Sequence, residues 1–276
     1  MFKQITFSCI LGLALPLPAF ALDFDLQKTL GMVQKTIQAT QTIEEPQEIR
    51  LGEGIAANLL GAAPLVNDSR VHQYVNRVGR WLSLHTERPG LPWKFGVLDS
   101  ANVNAFATPG GTIFITRGLL QRLGNESELA GVLAHEIVHV LRKHHLAALQ
   151  KEARMDIAAD MLGEAVKDKN NMALDKAIRA GTEVYARGLD KDDEFEADRM
   201  GIVIATRAGY DPYGLPAVLQ MLDASNAQDS SLALMFKTHP APGDRLSLLD
   251  KIMGGRFDSY AAPQQADRRF KTLVSR

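Results

Sequence analysis

The sequence of 276 residues contains a single cysteine, Cys9. An intrachain disulfide framework and a thiolate metal cluster are therefore excluded, and any bound metal must use nitrogen and oxygen ligands. Neither sign of charge is in excess, because 31 Lys and Arg stand against 32 Asp and Glu. This balance argues against nucleic-acid binding, which requires a marked basic excess. With 46% hydrophobic and 23% charged residues, the chain is not globally disordered either.

Long hydrophobic runs are also scarce. At the N-terminus, Lys3, a short apolar run over 10–17 and the Ala-Phe-Ala segment at 19–21 predict a secretory signal peptide, residues 1–21, cleaved after Ala21. Two prolines interrupt this run, which is too short to span a bilayer well, and an uncleaved anchor is the alternative. Cleavage would remove Cys9. A cysteine-free exported chain favours a bacterial periplasm.

The rest of the chain is predicted to be α+β and mostly helical, as one domain over residues 22–254 followed by a polar, loosely packed C-terminal tail over 255–276. Apolar residues three and four apart predict three early helices, at 23–42, 48–60 and from Asp68 or Ser69 to 82. Alternation predicts a small sheet, with strands at 93–98, 102–106 and 111–116. A short helix is predicted at 119–123, and a long one from 126 to about 151. Further helical pieces follow up to 187, and three more helices are predicted at 191–208, 213–223 and 243–252.

One predicted helix carries the motif H-E-x-x-H, formed by His135, Glu136 and His139. A spacing of four places the two imidazoles on one helix face, where they can bind one zinc ion. Glu136 can reach a zinc-bound water and take its proton. A surface helix with solvated histidines is the simpler interpretation. The apolar residues around the motif argue against it, since a buried helix needs partners for such polar groups.

A catalytic zinc site needs a third protein ligand. Glu194 begins a helix 55 residues after His139 and is the predicted ligand. Asp198 lies on the same face and is predicted to accept the outer N–H of a zinc-bound histidine, which fixes its tautomer. Glu196 is the rival ligand. The simpler interpretation of this acidic segment is a solvated helix start favoured by the helix dipole.

Two further histidines follow the motif. His145 has the position of a third histidine in a longer form of the motif, but that form requires glycine where this chain has Arg142. His144 and His145 are therefore expected beyond the site, near the exposed end of the helix.

Four motifs in order resemble one family. Along the chain they are Val103 to Gly111 together with Gly118-Leu-Leu, His135 to His139, Glu194-Phe-Glu-Ala-Asp198, and His239-Pro-x-x-x-x-Arg245. Over about residues 48–252 the chain resembles the HtpX-type and CAAX-prenyl-protease-type zinc metallopeptidases. Its exported, non-membrane character makes it most similar to the periplasmic BepA-like and LoiP-like proteases of that family. It departs from the former in having no room for a C-terminal tetratricopeptide array, and from the latter in having no plausible lipobox.

The resemblance implies a gluzincin (zincin-like) fold, with an active-site helix and a small sheet whose edge strand binds an extended substrate at Asn104, Ala105, Phe106 and Ala107. A plain hairpin is the simpler interpretation of that segment and is compatible with this role. The resemblance also places His239 near the zinc, as a catalytic group that stabilises the oxyanion or as a fourth ligand that holds the enzyme latent. Arg245 is expected to pair with a buried acidic group such as Asp198.

These features predict a periplasmic zinc-dependent endopeptidase, with one zinc ion per chain held by His135, His139 and Glu194 and with Glu136 as the base. The resemblance implies substrates among unfolded or misassembled envelope polypeptides, in envelope protein quality control, and peripheral contact with the outer-membrane assembly machinery. The alternative is a zinc-binding, chaperone-like module with a latent or inactive protease site. A hydrolase of non-peptide substrates is a third interpretation.

Overall fold

A computed structural model describes residues 43–151, 188–226, 228–239, 241–260, 270 and 272. The predicted signal peptide, the predicted helix at 23–42 and the predicted helical pieces at 152–187 lie outside the described residues. The first half contains α1 (Glu45–Ala62), α2 (Ser69–Ser83), β1 (Lys94–Leu98), β2 (Ala105–Thr108), β3 (Thr112–Thr116), α3 (Arg117–Leu120) and α4 (Glu126–Leu141). After α5 (144–151) come α6 (Lys191–Arg207), α7 (Gly214–Asp223), a 3-10 turn (Ser230–Leu232), α8 (Ala233–Thr238) and α9 (Pro242–Met253).

The described chain is thus mostly helical with one small sheet, as predicted. The sheet has the order β1-β3-β2, in which β1 is parallel and β2 antiparallel to β3. A tight turn joins β2 to β3, so these two strands form a hairpin whose register pairs Ala105 with Ile115. The second strand begins three residues later than its predicted start at 102, because the backbone of Asn104 is bonded to Thr116 outside the regular ladder.

The helix α4 lies at the centre of the fold. Its start is set by Asn125, whose side chain accepts a hydrogen bond from the backbone N–H of Glu128 at 2.9 Å. Every residue of α4 except Glu128 is buried, which explains why apolar residues occur on most of its faces. Residues of α2, of the sheet and of α4 share one hydrophobic core. The most extensive contact between described elements joins α4 to α6.

The predicted single helix from 126 to about 151 is wrong. The helix α4 ends at Leu141, and α5 begins at residue 144 after a two-residue break. Lys143 has a φ of 58°, and it is the one residue other than glycine with positive φ in the described part of the chain. No glycine or proline marks this break in the sequence. The conformation is supported by a tertiary contact, since the Lys143 ammonium lies 3.1 Å from the buried carboxylate of Glu48.

The expected loose packing of the tail does not hold at Phe270. This residue is buried in the main core and lies 6.5 Å, between ring centroids, from Tyr74 of α2. Burial of a phenylalanine contributes about 1.5–3 kcal/mol, so Phe270 belongs to the core, whereas Thr272 is exposed. None of the helices in the described ranges is both long enough and apolar enough to cross a membrane.

Candidate metal centre and active-site cleft

Two packed helices bring the three predicted metal ligands together. His135 and His139 lie one turn apart on α4, and Glu194 lies in the first turn of α6. The Nε2 atoms of the two histidines are 3.0 Å apart. The Glu194 carboxylate lies 3.5 Å from each of them, through Oε2 to His135 and through Oε1 to His139. All three side chains are buried.

This triangle fits a metal ion. Ligands at about 2.0–2.1 Å from a tetrahedral ion are about 3.3 Å apart, which is close to the three distances observed. In addition, Glu194 Oε1 is one of two buried side-chain polar atoms without a hydrogen-bond partner in the part of the chain that is described. A buried carboxylate oxygen in that state is costly unless a cation binds it. Ligand atoms of His135, Glu194 and His239 also lie within 4.8 Å of one another.

The outer nitrogen of His135 contacts Asp198, which lies one turn after Glu194. His135 Nδ1 is 3.0 Å from Asp198 Oδ1, and Arg245 Nε donates to Asp198 Oδ2 at 2.7 Å. Burial raises the pKa of Asp198, but the charge and hydrogen bonds of Arg245 outweigh it and lower this pKa. Burial lowers the pKa of His135, but the hydrogen bonds to Asp198 and Glu194 raise it to about 9. An ionised Asp198 therefore accepts the Nδ1 proton and directs Nε2 toward Glu194.

The other two groups of the triangle, His139 and Glu194, both have lowered pKa values. Burial lowers the pKa of His139 well below its usual value, so this imidazole is neutral. Burial raises the pKa of Glu194, but the neighbouring His239 and His135 outweigh it and lower this pKa well below its usual range. An ionised carboxylate and a neutral imidazole are the forms that bind metal cations.

Glu136 and His239 line a cleft beside the triangle. Burial raises the pKa of Glu136, which is the direction required for a carboxylate that takes up and releases a proton near neutral pH. His239 lies at the end of α8, and its Nδ1 is 2.8 Å from Glu194 Oε2. Its ring centroid is 5.8 Å from that of His135. His239 therefore lies beside the triangle.

The predicted substrate-binding residues divide into two pairs. Ala105 and Phe106, on the β2 strand at one edge of the sheet, line the same cleft as Glu136 and His239. Asn104 and Ala107 are fully buried and do not line the cleft. The Asn104 amide N–H donates to Thr116 Oγ1 at 3.0 Å, and this contact holds the residue inside the fold. Substrate binding at β2 therefore remains a prediction for Ala105 and Phe106.

The expectation that His144 and His145 lie beyond the site is wrong. Because the helix is interrupted at Lys143, the His144 side chain points back toward α4 and is buried. Its Nδ1 lies 2.9 Å from His139 Nδ1. His145 lines the cleft, and burial lowers its pKa to about 3. Glu196, the rival ligand, points toward His144 instead of the triangle, at 3.3 Å from His144 Nε2. In the sequence, the pair of histidines directly after the motif was the signal for this contact.

Comparison with known proteins agrees with this geometry. Residues 67–253, which include every residue of the triangle and of its surroundings named in this subsection, match the family described as "Peptidase family M48". The chain belongs to peptidase family M48. Membership confirms the predicted family, which is a family of peptidases.

Individual relatives are similar over much of the chain. The beta-barrel assembly-enhancing protease of Escherichia coli K12 is 32% identical over 236 residues, which cover 83% of this chain and 47% of that protein. A putative beta-barrel assembly-enhancing protease of Vibrio cholerae is 29% identical, over 89% of this chain and 51% of its own. The mitochondrial metalloendopeptidase OMA1 of Schizosaccharomyces pombe is 26% identical, over 64% and 52%. The chain thus spans about half the length of the curated relatives it matches.

Proposed function

We propose that this member of family M48 is a zinc-dependent endopeptidase of the gluzincin type, with α4 as its active-site helix. The observation that carries the proposal is the buried triangle of His135, His139 and Glu194, whose dimensions suit one tetrahedral zinc ion per chain. A set of two imidazoles and one carboxylate leaves a fourth position for water or substrate, which distinguishes a catalytic zinc site from a structural one.

The residues of the chain divide the catalytic work. When bound, the zinc ion supplies Lewis acidity, which lowers the pKa of water and polarises the scissile carbonyl. Glu136, adjacent to His135 but offset on the helix, accepts the proton of the attacking water and then delivers it to the leaving amine. Its pKa, raised by burial, suits both transfers. Asp198 and Arg245 keep His135 oriented, because an ion pair behind the imidazole holds its Nδ1 proton.

Peptide substrates are supported by the position of β2. Ala105 and Phe106 lie at a sheet edge in the same cleft as Glu136. An extended polypeptide that adds to this edge would place a carbonyl beside Glu136 and be held by main-chain hydrogen bonds, which give little sequence preference. Such recognition suits unfolded or misassembled polypeptides. The names of the bacterial relatives refer to the assembly of beta-barrels, and we propose a corresponding role in envelope quality control in the periplasm.

The variant Glu136→Gln tests the mechanism. It keeps the shape of the side chain and all three metal ligands, so zinc binding should match that of the wild type while hydrolysis of casein falls by at least about 100-fold, the smallest contribution typical of a general base. Zinc content is measured by elemental analysis of the purified chain. Undiminished cleavage of casein by this variant would refute the proposed role of Glu136.

A second function is favoured by His239. Because its ring nitrogen lies in the same cluster as His135 and Glu194, this histidine can complete the metal coordination and close the site. The protein would then be a zinc-binding, chaperone-like module with a latent or inactive protease site. Metal content and casein cleavage of the wild type and His239→Ala discriminate the two. Zinc with activity only in the variant indicates latency, and zinc without activity in both indicates a binding module.

A further inference from the structure

His144 is the buried histidine that the proposed mechanism does not use. It begins α5, directly after the break, and its ring lies against that of His139, with centroids 5.1 Å apart. The two Nδ1 atoms are 2.9 Å apart, which is hydrogen-bond distance. His139 Nε2, the nitrogen on the other side of its ring, points into the triangle.

The direction of the hydrogen bond between His139 and His144 follows from what the other nitrogen of His144 contacts. His144 Nε2 lies 3.3 Å from Glu196 Oε2 and 3.6 Å from Asp193 Oδ1. A carboxylate oxygen accepts the hydrogen bond from His144 Nε2, so the neutral imidazole has its proton on Nε2 and its Nδ1 is an acceptor. His139 must then donate from its own Nδ1, and its Nε2 is left with a free lone pair. Arg142 Nε, 3.0 Å from the other oxygen of Glu196, holds this carboxylate in place.

Each of the two histidines of the motif therefore has an acceptor for its Nδ1 proton, but the two acceptors are different groups. For His135 the acceptor of the Nδ1 proton is Asp198, a carboxylate in direct contact. For His139 the acceptor is an imidazole, which connects it to a carboxylate at the protein surface. In metal sites, an acceptor behind a histidine fixes the tautomer and ring orientation, and its loss typically lowers metal affinity about 10- to 100-fold.

We propose that His144, together with Glu196, is a positioning residue that presents His139 Nε2 to the zinc ion. This inference rests on the proposed function, because it assumes that His139 is a metal ligand. The geometry depends on the break between α4 and α5. Five residues along a continuous helix correspond to a rotation of about 140° from His139, so the two rings would point in different directions. The left-handed conformation of Lys143 brings them together.

The test is zinc affinity, measured by competition with a chromophoric chelator, for three variants of His144 and its partner. His144→Phe keeps an aromatic ring but removes the acceptor, and its zinc affinity should fall about 10- to 100-fold. His144→Asn keeps an acceptor near the position of Nδ1 and should restore most of that loss, which a purely structural role would not predict. Glu196→Ala changes a partly exposed residue and should weaken affinity in the same direction, but less.

A matched control separates this effect from general damage. His85→Phe makes the same substitution at a histidine whose ring contacts Trp81 of α2, outside the site, and should leave zinc affinity unchanged. The thermal midpoint of each metal-free variant reports folding independently of zinc. If His144→Phe fails to fold, Glu196→Ala and His144→Asn decide the question. Wild-type affinity in both His144→Phe and Glu196→Ala overturns the inference, whereas a wild-type chain that binds no zinc refutes the proposed function instead.

Discussion

At the scale of single residues, the properties of the site depend on the protonation states of His135 and His139. Without metal, His135 is held between two carboxylates, so burial and hydrogen bonding together leave its pKa at about 9. His139, one turn further on, is neutral because burial dominates its pKa. Two histidines of one motif thus differ in charge because α6 brings two carboxylates, Glu194 and Asp198, to His135 and one, Glu194, to His139.

A pH dependence of metal binding follows for His135. Below about pH 9 its imidazole is protonated in the metal-free chain, and zinc must displace that proton. Apparent zinc affinity should therefore rise about tenfold per pH unit from pH 6 to 8 and level off above about 9. Glu194 does not contribute in this range, since its pKa lies well below its usual value. Chelator competition at several pH values measures the slope, and an affinity independent of pH in this range would contradict the assignment.

At the scale of elements, the site requires close contact between α4 and α6. Gly201 of α6 lies against α4, where an added Cβ would be 3.0 Å from the backbone nitrogen of His135. The two helices can approach this closely because glycine has no side chain, and the approach brings Glu194 to the histidines. The motif residues alone do not define this distance.

Gly201→Ala should push α6 away from α4. Overpacking against a rigid backbone costs about 1–3 kcal/mol, which exceeds the gain of about 0.5–1 kcal/mol from the better helix propensity of alanine. We expect a lower free energy of unfolding in urea and weaker zinc binding, since Glu194 moves with its helix. The control is Gly54→Ala in α1, where a Cβ meets nothing within 4 Å and stability should rise. A Gly201→Ala variant as stable as Gly54→Ala would show that the helices can separate without cost.

At the scale of the whole molecule, one buried carboxylate connects distant segments. Glu48 of α1 accepts from Arg88 Nη1 at 3.0 Å, from Lys143 Nζ at 3.1 Å and from the Gly110 backbone N–H at 3.2 Å. It thereby joins the first helix to the β2–β3 turn and to the break after α4. Burial raises its pKa, but Arg88 and Lys143 outweigh it and lower this pKa below 4.5.

Glu48→Gln should therefore destabilise the fold. The amide keeps the shape but loses charge-assisted hydrogen bonds, and we expect a loss of about 1.5–3 kcal/mol in the free energy of unfolding at pH 7. Glu53→Gln is the matched control on the same helix, because its ion pair with Lys94 is exposed and is worth less than about 1 kcal/mol.

The effect of Glu48 should also depend on pH. A carboxyl group whose pKa is lowered by folding stabilises the protein above its unfolded pKa, and this contribution is lost as pH falls through the folded pKa. The difference between the wild type and Glu48→Gln should thus be full at neutral pH and shrink as the pH drops below 4.5. Urea unfolding at neutral and acidic pH measures it, and a difference independent of pH would contradict the role of the charge.

The family, the mostly helical class and the H-E-x-x-H helix could be predicted from the sequence alone, because these depend on local spacing and residue type. It also predicted Glu194 and Asp198, since a spacing of four defines a helix face. The end of α4 at Leu141 could not be predicted, because neither glycine nor proline lies at the break and the residue there, Lys143, contacts Glu48, 95 residues earlier in the chain. The burial of His144 beside His139 depends on that break, so the position of His144 in the sequence did not by itself show which way its ring points.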